Sequence, residues 1–282
     1  MKYSGVLRIV ILGIIAVLAF IVRIFSVIRY ESVIHEFDPW FNYRATRYLA
    51  HNGFVEFWNW FDPMSWYPIG RHIGRSVFPG LMATASCIYW LLHAVGIPVD
   101  IRNVCVFVAP LFASFTALAT YFFTKEITRK SAPALLAALF IAIVPSYMSR
   151  SVAGSYDNEG VAIFALVLTF YIYTKASRDG SILSAVFASL AFFYMVISWG
   201  GYSFIIMFIP SYTVAMILVN RFTHNMYVAY TIFYAMSNLV APQIHMVGLA
   251  PLFLNEHLPA HACFALVQGF MLKEMLAPYL SP

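Results

Sequence analysis

Long apolar runs are the feature that most limits what this chain can fold into. They start near Ile9 and recur along the sequence to about Leu276. Most are about 16 to 21 residues long, which suits α-helices that cross a hydrocarbon core of about 30 Å. They lack the alternation of polar and apolar residues that is typical of membrane barrel strands. We therefore predict an all-α polytopic membrane protein.

The composition agrees with a membrane protein and excludes several other classes. Of the 282 residues, 62% are hydrophobic and 10% are charged, whereas a soluble domain has about 25% charged residues. The formal net charge of +5 comes from scattered Lys and Arg, without the basic run that indicates a nucleic-acid surface. Cys87, Cys105 and Cys263 each lie alone in apolar sequence, so we predict that they are core residues.

Basic residues between the apolar runs predict the membrane topology. Lys2 and Arg8 precede the first run, which predicts an uncleaved anchor with a cytosolic N-terminus. Later basic clusters lie at 125–130, at 175–178 and at Arg221. All of these clusters become cytosolic if the short run at 80–96 lies along the surface, which leaves about eight spanning helices.

This topology divides the chain into three segments. Residues 1–29 hold the cytosolic N-terminus and the first anchor, and residues 30–103 form a long first extracytosolic loop. The density of Trp and Tyr in that loop predicts interfacial surface helices, because amphipathic rings favour the headgroup level. Residues 104–282 hold the remaining transmembrane bundle, with short loops. The loop at 149–160 then faces the same side as the first loop.

Two acidic motifs lie on that predicted extracytosolic side. Glu36 and Asp38 follow the first anchor, and Asp157 and Glu159 precede a later apolar run. Carboxylates with this spacing in a loop suit Mg²⁺ or Mn²⁺, which prefer oxygen ligands. The alternative is a solvated turn that caps the next helix, since carboxylates favour helix N-termini. The membrane setting favours a functional role, because acids beside apolar sequence are costly.

Other residues carry weaker signals. Arg150 precedes the second motif and can neutralise a phosphate or pair with the acids, although interfacial snorkelling is the alternative. Trp199 and Tyr202 flank two glycines, which indicates a tight loop that a ligand can approach closely; an aromatic belt is the alternative. Arg44 is predicted to be an ordinary loop charge, and Asp62, before a proline, to form a turn.

At these residues the sequence resembles the catalytic subunit of the oligosaccharyltransferase, a glycosyltransferase of the GT-C type. The matching stretches lie in the family's order and are 35–44 (HEFDPWFNYR), 66–71 (WYPIGR), 100–105 (DIRNVC), 149–160, 199–202 (WGGY) and 255–257 (NEH). Together they are spread along nearly the whole chain and look eukaryotic. The resemblance implies a GT-C transmembrane domain whose first lumenal loop carries surface helices.

The resemblance also implies a reaction. A preassembled oligosaccharide would pass from a dolichyl-diphosphate carrier to asparagine in Asn-x-Ser/Thr acceptors, at the lumenal face of the endoplasmic reticulum membrane. The family's roles would fall on Asp38 for the acceptor and the metal, on Asp157 and Glu159 for Mn²⁺ or Mg²⁺, and on Arg150 for catalysis. We predict substrate-binding roles for Glu36, Trp199 and Tyr202. Implied partners are other oligosaccharyltransferase subunits and membrane lipids, and no nucleic acid.

One family feature has no counterpart in this sequence. The family's soluble lumenal domain carries Trp-Trp-Asp-Tyr-Gly, a string that does not occur here, so we expect that domain to be absent. An alternative function is therefore a truncated, inactive membrane subunit with a lipid-binding or scaffold role. An unrelated transporter is a more distant alternative, since intramembrane acids are common in carriers.

Overall fold

The computed structural model describes residues 2–280 and confirms the all-α class. The helices α1 to α14 are, in chain order, Lys2–Ile21, Phe25–Tyr30, Phe37–Asn59, Ile73–Ser76, Gly80–Ala94, Ile101–Thr128, Ser131–Ile143, Pro145–Met148, Glu159–Asp179, Ile182–Ser198, Tyr202–Leu218, His224–Val240, Ala250–Phe253 and Leu258–Leu280. Two 3₁₀ turns cover Ala241–Gln243 and Asn255–His257. The short strands β1 (Phe61–Asp62) and β2 (Arg71–His72) pair antiparallel within the first loop.

Several helices have the length and apolar character of membrane spans. Within residues 2–280, three segments qualify by length and composition, namely Gly5–Tyr30, Ile101–Thr128 and Glu159–Asp179. Shorter apolar helices cover Gly80–Ala94, Ser131–Ile143, Ile182–Ser198 and Tyr202–Leu218. The predicted count of about eight spans, and the surface position of the run at 80–96, stay predictions.

Two of the predicted apolar runs are interrupted in the structure. The first run breaks between α1 and α2, at Arg23. The run at 132–148 divides into α7 and α8 because Pro145 follows Val144, whose ψ of 127° is extended. A residue before proline is driven away from helical ψ by a steric clash with the proline ring. At the first break, the carbonyl of Arg23 accepts a hydrogen bond from the N–H of Ala153, four residues before Asp157.

The chain forms two compact units. The first runs to Leu168 and includes Ile197–Trp199, and the second contains Thr169–Val196 and the chain from Gly200 onward. In the first unit, α1, α6 and α7 pack through small side chains. The buried alanines of this cluster are Ala19, Ala117, Ala134, Ala138 and Ala142. Small residues let membrane helices approach closely, where dispersion forces and lipid exclusion stabilise them.

The first loop packs its longest helix against a neighbouring helix. The indole N–H of Trp90 on α5 donates to the carbonyl of Ala50 on α3 at 3.0 Å. The rings of Tyr48 and Trp60 stack with centroids 4.0 Å apart. The prediction that all three cysteines lie in the core is wrong for Cys87, which is exposed on α5.

The second unit is a helical cluster with an aromatic core. The ring of Phe233 on α12 lies 5.4 Å from that of Phe192 on α10 and 5.2 Å from that of Tyr173. The hydroxyl of Tyr230 donates to the carbonyl of Ala260 at 3.0 Å, which joins α12 to α14.

Candidate functional site

The loop at 149–158, which carries the start of the second acidic motif, is held by backbone hydrogen bonds from several directions. The N–H of Ala153 donates to the carbonyl of Arg23 at 2.9 Å, and that of Gly154 donates to the carbonyl of Val106 at 3.1 Å. The N–H of His35 in turn donates to the carbonyl of Gly154 at 3.0 Å. The loop is therefore tied to the end of the first anchor, to α6 and to the chain before α3.

A proline inside α6 explains why the Val106 carbonyl is available to this loop. Pro110 lies one turn after Val106 and has no N–H to donate back to it. Gly154 supplies the missing donor. Its φ of +91° and its tight packing both require glycine, because an added Cβ would overlap the carbonyl oxygen of Val33.

Arg23 holds the other side of the same loop. Its guanidinium is fully buried, with Nε donating to the Ser151 hydroxyl at 2.7 Å. Its Nη1 donates to the carbonyls of Ala19 at 2.8 Å and Ala142 at 2.7 Å. The sequence reasoning missed this residue. The signal was an arginine inside an otherwise apolar run, since a charge there needs partners in the protein interior.

Asn42 connects helix α3, which begins beside the first acidic motif, to the second motif. Its side-chain amide donates to the Asp157 carboxylate at 3.3 Å and to the Tyr156 carbonyl at 3.1 Å. Asn42 is buried on α3, one helical turn after Asp38. The structure thus joins the helix that starts at the first motif to the loop that carries the second, although the sequence reasoning gave Asn42 no role.

Tyr156 fixes the position of α3 beside the loop. Its side chain is buried, and its hydroxyl lies 2.8 Å from the hydroxyl of Thr46 on α3. The same hydroxyl donates to the carbonyl of Leu81 on α5 at 3.3 Å. Thr46 also donates to the carbonyl of Asn42 at 2.8 Å. These contacts fix the position of α3, which carries Asn42, relative to the loop that carries Asp157.

The second motif brings three of the predicted residues into one electrostatic group. Glu159, half-buried at the start of α9, is repelled by Asp157 and attracted by the exposed Arg150. The N–H of Asn158 donates to the Asp157 carboxylate at 2.8 Å. The side-chain oxygen of Asn158 is buried and, among the residues that the structure describes, has no hydrogen-bond partner.

The remaining predicted residues lie in different settings. Glu36 and Asp38 are exposed at the start of α3, where acidic side chains suit the positive end of the helix dipole. Trp199 is half-buried in the first unit. Tyr202 belongs to the second unit and is buried, with its ring 6.2 Å from that of Phe192 and 5.9 Å from that of His257.

The donor atoms of the second motif suit a hard divalent cation. Asp157, Glu159 and the unpaired oxygen of Asn158 are all oxygen donors, which Mg²⁺ and Mn²⁺ prefer. In the range 2–280, no group of three or more His, Cys, Asp or Glu side chains is placed to hold a metal. The oxygen donors of the second motif nevertheless fit such an ion by atom type. A further carboxylate, that of Asp38, lies on α3 one helical turn before Asn42.

The prediction that Arg44 is an ordinary loop charge is wrong. Its Nε and Nη2 donate to the two carboxylate oxygens of Asp62 at 2.6 and 2.9 Å. Asp62 is buried and also accepts from the Met64 N–H at 3.0 Å and the Ser65 hydroxyl at 2.8 Å. The hydrogen-bonded guanidinium lowers the pKa of the Asp62 carboxyl from 3.8 to about 2. The pair connects α3 to β1, a contact that no local pattern indicates.

Comparison with known proteins places the fold and the family. The family model described as oligosaccharyl transferase STT3, N-terminal, matches residues 6–281. The STT3B subunit of dolichyl-diphosphooligosaccharide–protein glycosyltransferase from Arabidopsis thaliana is 53% identical over 264 residues, and the STT3 subunit from Dictyostelium discoideum is 51% identical over 262. These alignments cover 94% and 93% of this chain but 36% and 37% of the relatives, so the chain spans little more than a third of their length.

Solved structures agree on the fold. The archaeal oligosaccharyltransferase AglB from Archaeoglobus fulgidus, in complex with an inhibitory peptide and a dolichol-phosphate, superposes with a TM-score of 0.79 at 20% identity. That match covers 99% of this chain and 34% of the archaeal chain. The apo form of the Archaeoglobus enzyme gives a TM-score of 0.78. On its sequence match across nearly its full length, this chain belongs to the STT3 family of oligosaccharyl transferases, in the N-terminal part of that family's sequence.

Proposed function

We propose that this chain is the N-terminal membrane part of an oligosaccharyltransferase catalytic subunit. The reaction would transfer a preassembled oligosaccharide from a dolichyl-diphosphate carrier to the asparagine of Asn-x-Ser/Thr acceptors. The observation that carries the proposal is the Asn42 side chain, which donates to Asp157 and so connects the helix that begins beside the first acidic motif to the loop of the second. Relatives about half identical to this chain bear the name of that transferase.

Each acidic residue has a proposed chemical role. An acceptor amide is a poor nucleophile because its nitrogen lone pair is delocalised, and a carboxylate that accepts its N–H bonds favours the reactive form. Asp38, exposed at the start of α3, is our candidate for that contact. Arg150 would hold the diphosphate, since guanidinium groups bind phosphate oxygens in a bidentate manner.

The second motif would hold the metal. Asp157 and Glu159 are the proposed ligands of Mn²⁺ or Mg²⁺, with Asp38 as a third. When bound, such an ion supplies Lewis-acid stabilisation of negative charge on the leaving diphosphate. Glu36, Trp199 and Tyr202 remain proposed substrate contacts.

The proposed substrates and location also draw on the named neighbours. Archaeoglobus structures hold a dolichol-phosphate, a tethered acceptor peptide with an NVT sequon, or Zn and sulfate. By analogy we propose that this chain binds the donor lipid, the acceptor sequon and the cation at its acidic motifs. We place the site on the lumenal face of the endoplasmic reticulum membrane, in a complex with other oligosaccharyltransferase subunits.

A single substitution in the full-length protein tests this proposal. Asp157→Ala should reduce transfer of a lipid-linked glycan to an Asn-x-Thr peptide by at least about a hundredfold, because removing a catalytic electrostatic group typically costs that much. Glu56→Ala is the matched control, since Glu56 is an exposed carboxylate on α3, and it should stay within about twofold of wild type. Full activity of the Asp157→Ala protein, at an unchanged thermal midpoint, would refute the proposal.

A further inference from the structure

A basic cavity of about 490 Å³ lies at the end of α1 that is opposite Arg23. It is formed by the start of α1, the end of α6 and the start of α7. Its lining residues are Arg8, Arg129, Lys130, Ser131, Ala132 and Leu135. Arg8 and Arg23 are separated by fifteen residues of sequence, which is about 22 Å of helix. The cavity is therefore separate from the acidic loop.

Three cations converge on this cavity with little compensation. Arg8 donates from Nη1 to the hydroxyl of Ser131 at 3.4 Å, which brings the start of α1 to the start of α7. Arg129 lies 3.5 Å from the carboxylate of Glu126 and keeps a side chain that is 59% exposed. Lys130 is exposed and occupies the N-cap position of α7 without a capping side-chain bond. The lining of the cavity therefore carries a net positive charge.

The N-terminus of α7 adds to the positive electrostatic potential of the cavity. This helix runs for 13 residues from Ser131, and the backbone N–H groups at a helix N-terminus carry a partial positive charge. Such N–H groups bind anions when cationic side chains accompany them. The Ser131 hydroxyl and these N–H groups are donors that a phosphate can share with the two arginines and the lysine.

Part of the cavity lining is apolar, and the start of α1 also carries exposed apolar side chains. Ala132 and Leu135 line the cavity below the cations. Next to Arg8 on α1, the side chains of Ile9 and Val6 are 72% and 62% exposed. A ligand with an anionic head and an apolar tail therefore matches both parts of this surface, because burial of the tail on apolar side chains is favourable.

We infer that this cavity binds the phosphate headgroup of an anionic phospholipid. Basic pockets between membrane helices on the cytosolic side bind anionic headgroups, and the anionic lipids lie mainly in the cytosolic leaflet. The positive-inside preference independently predicts that Arg8 and the 125–130 cluster are cytosolic. The inference does not depend on the transferase function, because it uses residues remote from the acidic motifs.

Lipid titration followed by native mass spectrometry tests this inference on the purified full-length protein. Phosphatidylinositol is titrated against phosphatidylcholine in detergent, with wild type and Arg8→Gln/Lys130→Gln. We expect the apparent Kd for phosphatidylinositol to rise at least about tenfold in the double variant, since each basic residue near a headgroup contributes an electrostatic attraction. The matched control is Arg221→Gln/Lys273→Gln, which removes two exposed cations outside the cavity; its Kd should stay within about twofold.

A charge-conserving variant and a soluble competitor distinguish lipid binding from misfolding and from binding of free phosphate. Arg8→Lys/Lys130→Arg should recover most of the affinity, which shows that loss in the glutamine variant reflects charge and not misfolding. Inorganic phosphate at millimolar concentration should leave the lipid bound. Displacement by inorganic phosphate would instead assign the cavity to a soluble phosphate ligand. The inference would be overturned if the cavity variant and the control lost equal affinity for phosphatidylinositol, or if neither lost affinity.

Discussion

Asn42 is the residue on which the candidate site depends most. It sits on α3 one turn after Asp38, and its amide holds Asp157 through a hydrogen bond that spans more than a hundred residues of sequence. A buried amide that donates to a carboxylate fixes the orientation of that carboxylate, because alternative orientations would leave the donor unpaired. Together with the Asn158 N–H, which donates to the same Asp157 oxygen at 2.8 Å, the Asn42 amide leaves the other carboxylate oxygen available to a ligand.

Removing this amide should impair the proposed glycan transfer more than it impairs folding. In the full-length protein, Asn42→Leu loses a hydrogen bond to a charged group, which is worth about 1.5 to 3 kcal/mol. If that bond positions Asp157 for the reaction, we expect the rate of transfer to an acceptor peptide to fall at least about tenfold. Metal affinity, measured as the Mn²⁺ concentration for half-maximal rate, should weaken as well.

A control substitution for Asn42→Leu is available on the same helix, α3. Asn52 is exposed and donates to the carbonyl of Tyr48 at 2.9 Å. Asn52→Leu should leave the rate and the Mn²⁺ dependence within about twofold of wild type. If both variants lose activity equally, Asn42 does not position Asp157.

Asp62 should make stability depend on acid pH. Its pKa is lowered from 3.8 to about 2 by Arg44, so its ion pair stabilises the folded state above about pH 4 and is lost as the pH falls through about 2. Because the Arg44 side chain is 52% exposed, solvent screening limits the contribution to about 1 kcal/mol. Thermal unfolding in detergent should show Asp62→Asn less stable than wild type at pH 5.

The stabilising effect of this ion pair should disappear at lower pH. The difference in melting temperature should shrink from pH 4 to pH 2, because wild type then increasingly carries a neutral group at this position, as the variant does at every pH. Glu56→Gln, on the exposed surface of α3, should match wild type at every pH. If the difference in melting temperature between Asp62→Asn and wild type persists unchanged at pH 2, the ion pair does not stabilise the folded state.

Prolines and a glycine decide where the loop of the second acidic motif can dock. Pro110 frees the Val106 carbonyl inside α6, and Gly154 donates to it. Pro145 ends the helical run before the loop begins. The sequence analysis predicted neither the break at Pro145 nor the free Val106 carbonyl, and the donor to that carbonyl, Gly154, is distant in sequence.

A comparison of Gly154 with Gly96 separates the cost of backbone strain from the cost of steric overlap. Both have positive φ, +91° and +81°, but a Cβ at Gly96 meets nothing within 4 Å while one at Gly154 overlaps the Val33 carbonyl. Gly96→Ala should cost about 1 kcal/mol from the positive φ. Gly154→Ala should cost at least about 2 kcal/mol more, because overpacking adds its own penalty.

Thermal unfolding in detergent measures this difference. About 2 kcal/mol corresponds to a lowering of the melting temperature by about 4 to 8 °C in a protein of this size. Hydrogen exchange at the amides of 153–157 should also accelerate in Gly154→Ala and stay unchanged in Gly96→Ala. Equal melting temperatures for the two variants would mean that the loop does not pack against Val33.

The first unit has a polar connection at each end of α1. Arg8 contacts Ser131 at one end, and Arg23 contacts Ser151 at the other. Between them, small side chains pack α1 on α6 and α7. If this helix crosses the membrane, the basic cavity and the acidic loop must lie on opposite sides of it, because the helix is about 30 Å long.

Labelling from one side of the membrane tests this arrangement. In sealed microsomes that carry the full-length protein, an impermeant maleimide should label Lys130→Cys but not Glu31→Cys, both exposed positions. Cys87 is exposed and must first be changed to serine, whereas Cys105 and Cys263 are buried. After detergent permeabilisation both positions should react. Labelling of Glu31→Cys in intact microsomes would contradict the predicted topology.

The sequence alone determined the class of protein, the family and the two acidic motifs. Apolar runs and motifs are local patterns, so each can be read without knowing what the segment packs against. The tertiary structure decided the contacts between distant residues: the Asn42 bond to Asp157, the Arg44 pair with Asp62 and the docking of Gly154 on Val106. These bonds form only when helices pack at a given distance and rotation, and packing depends on the summed shape of many side chains.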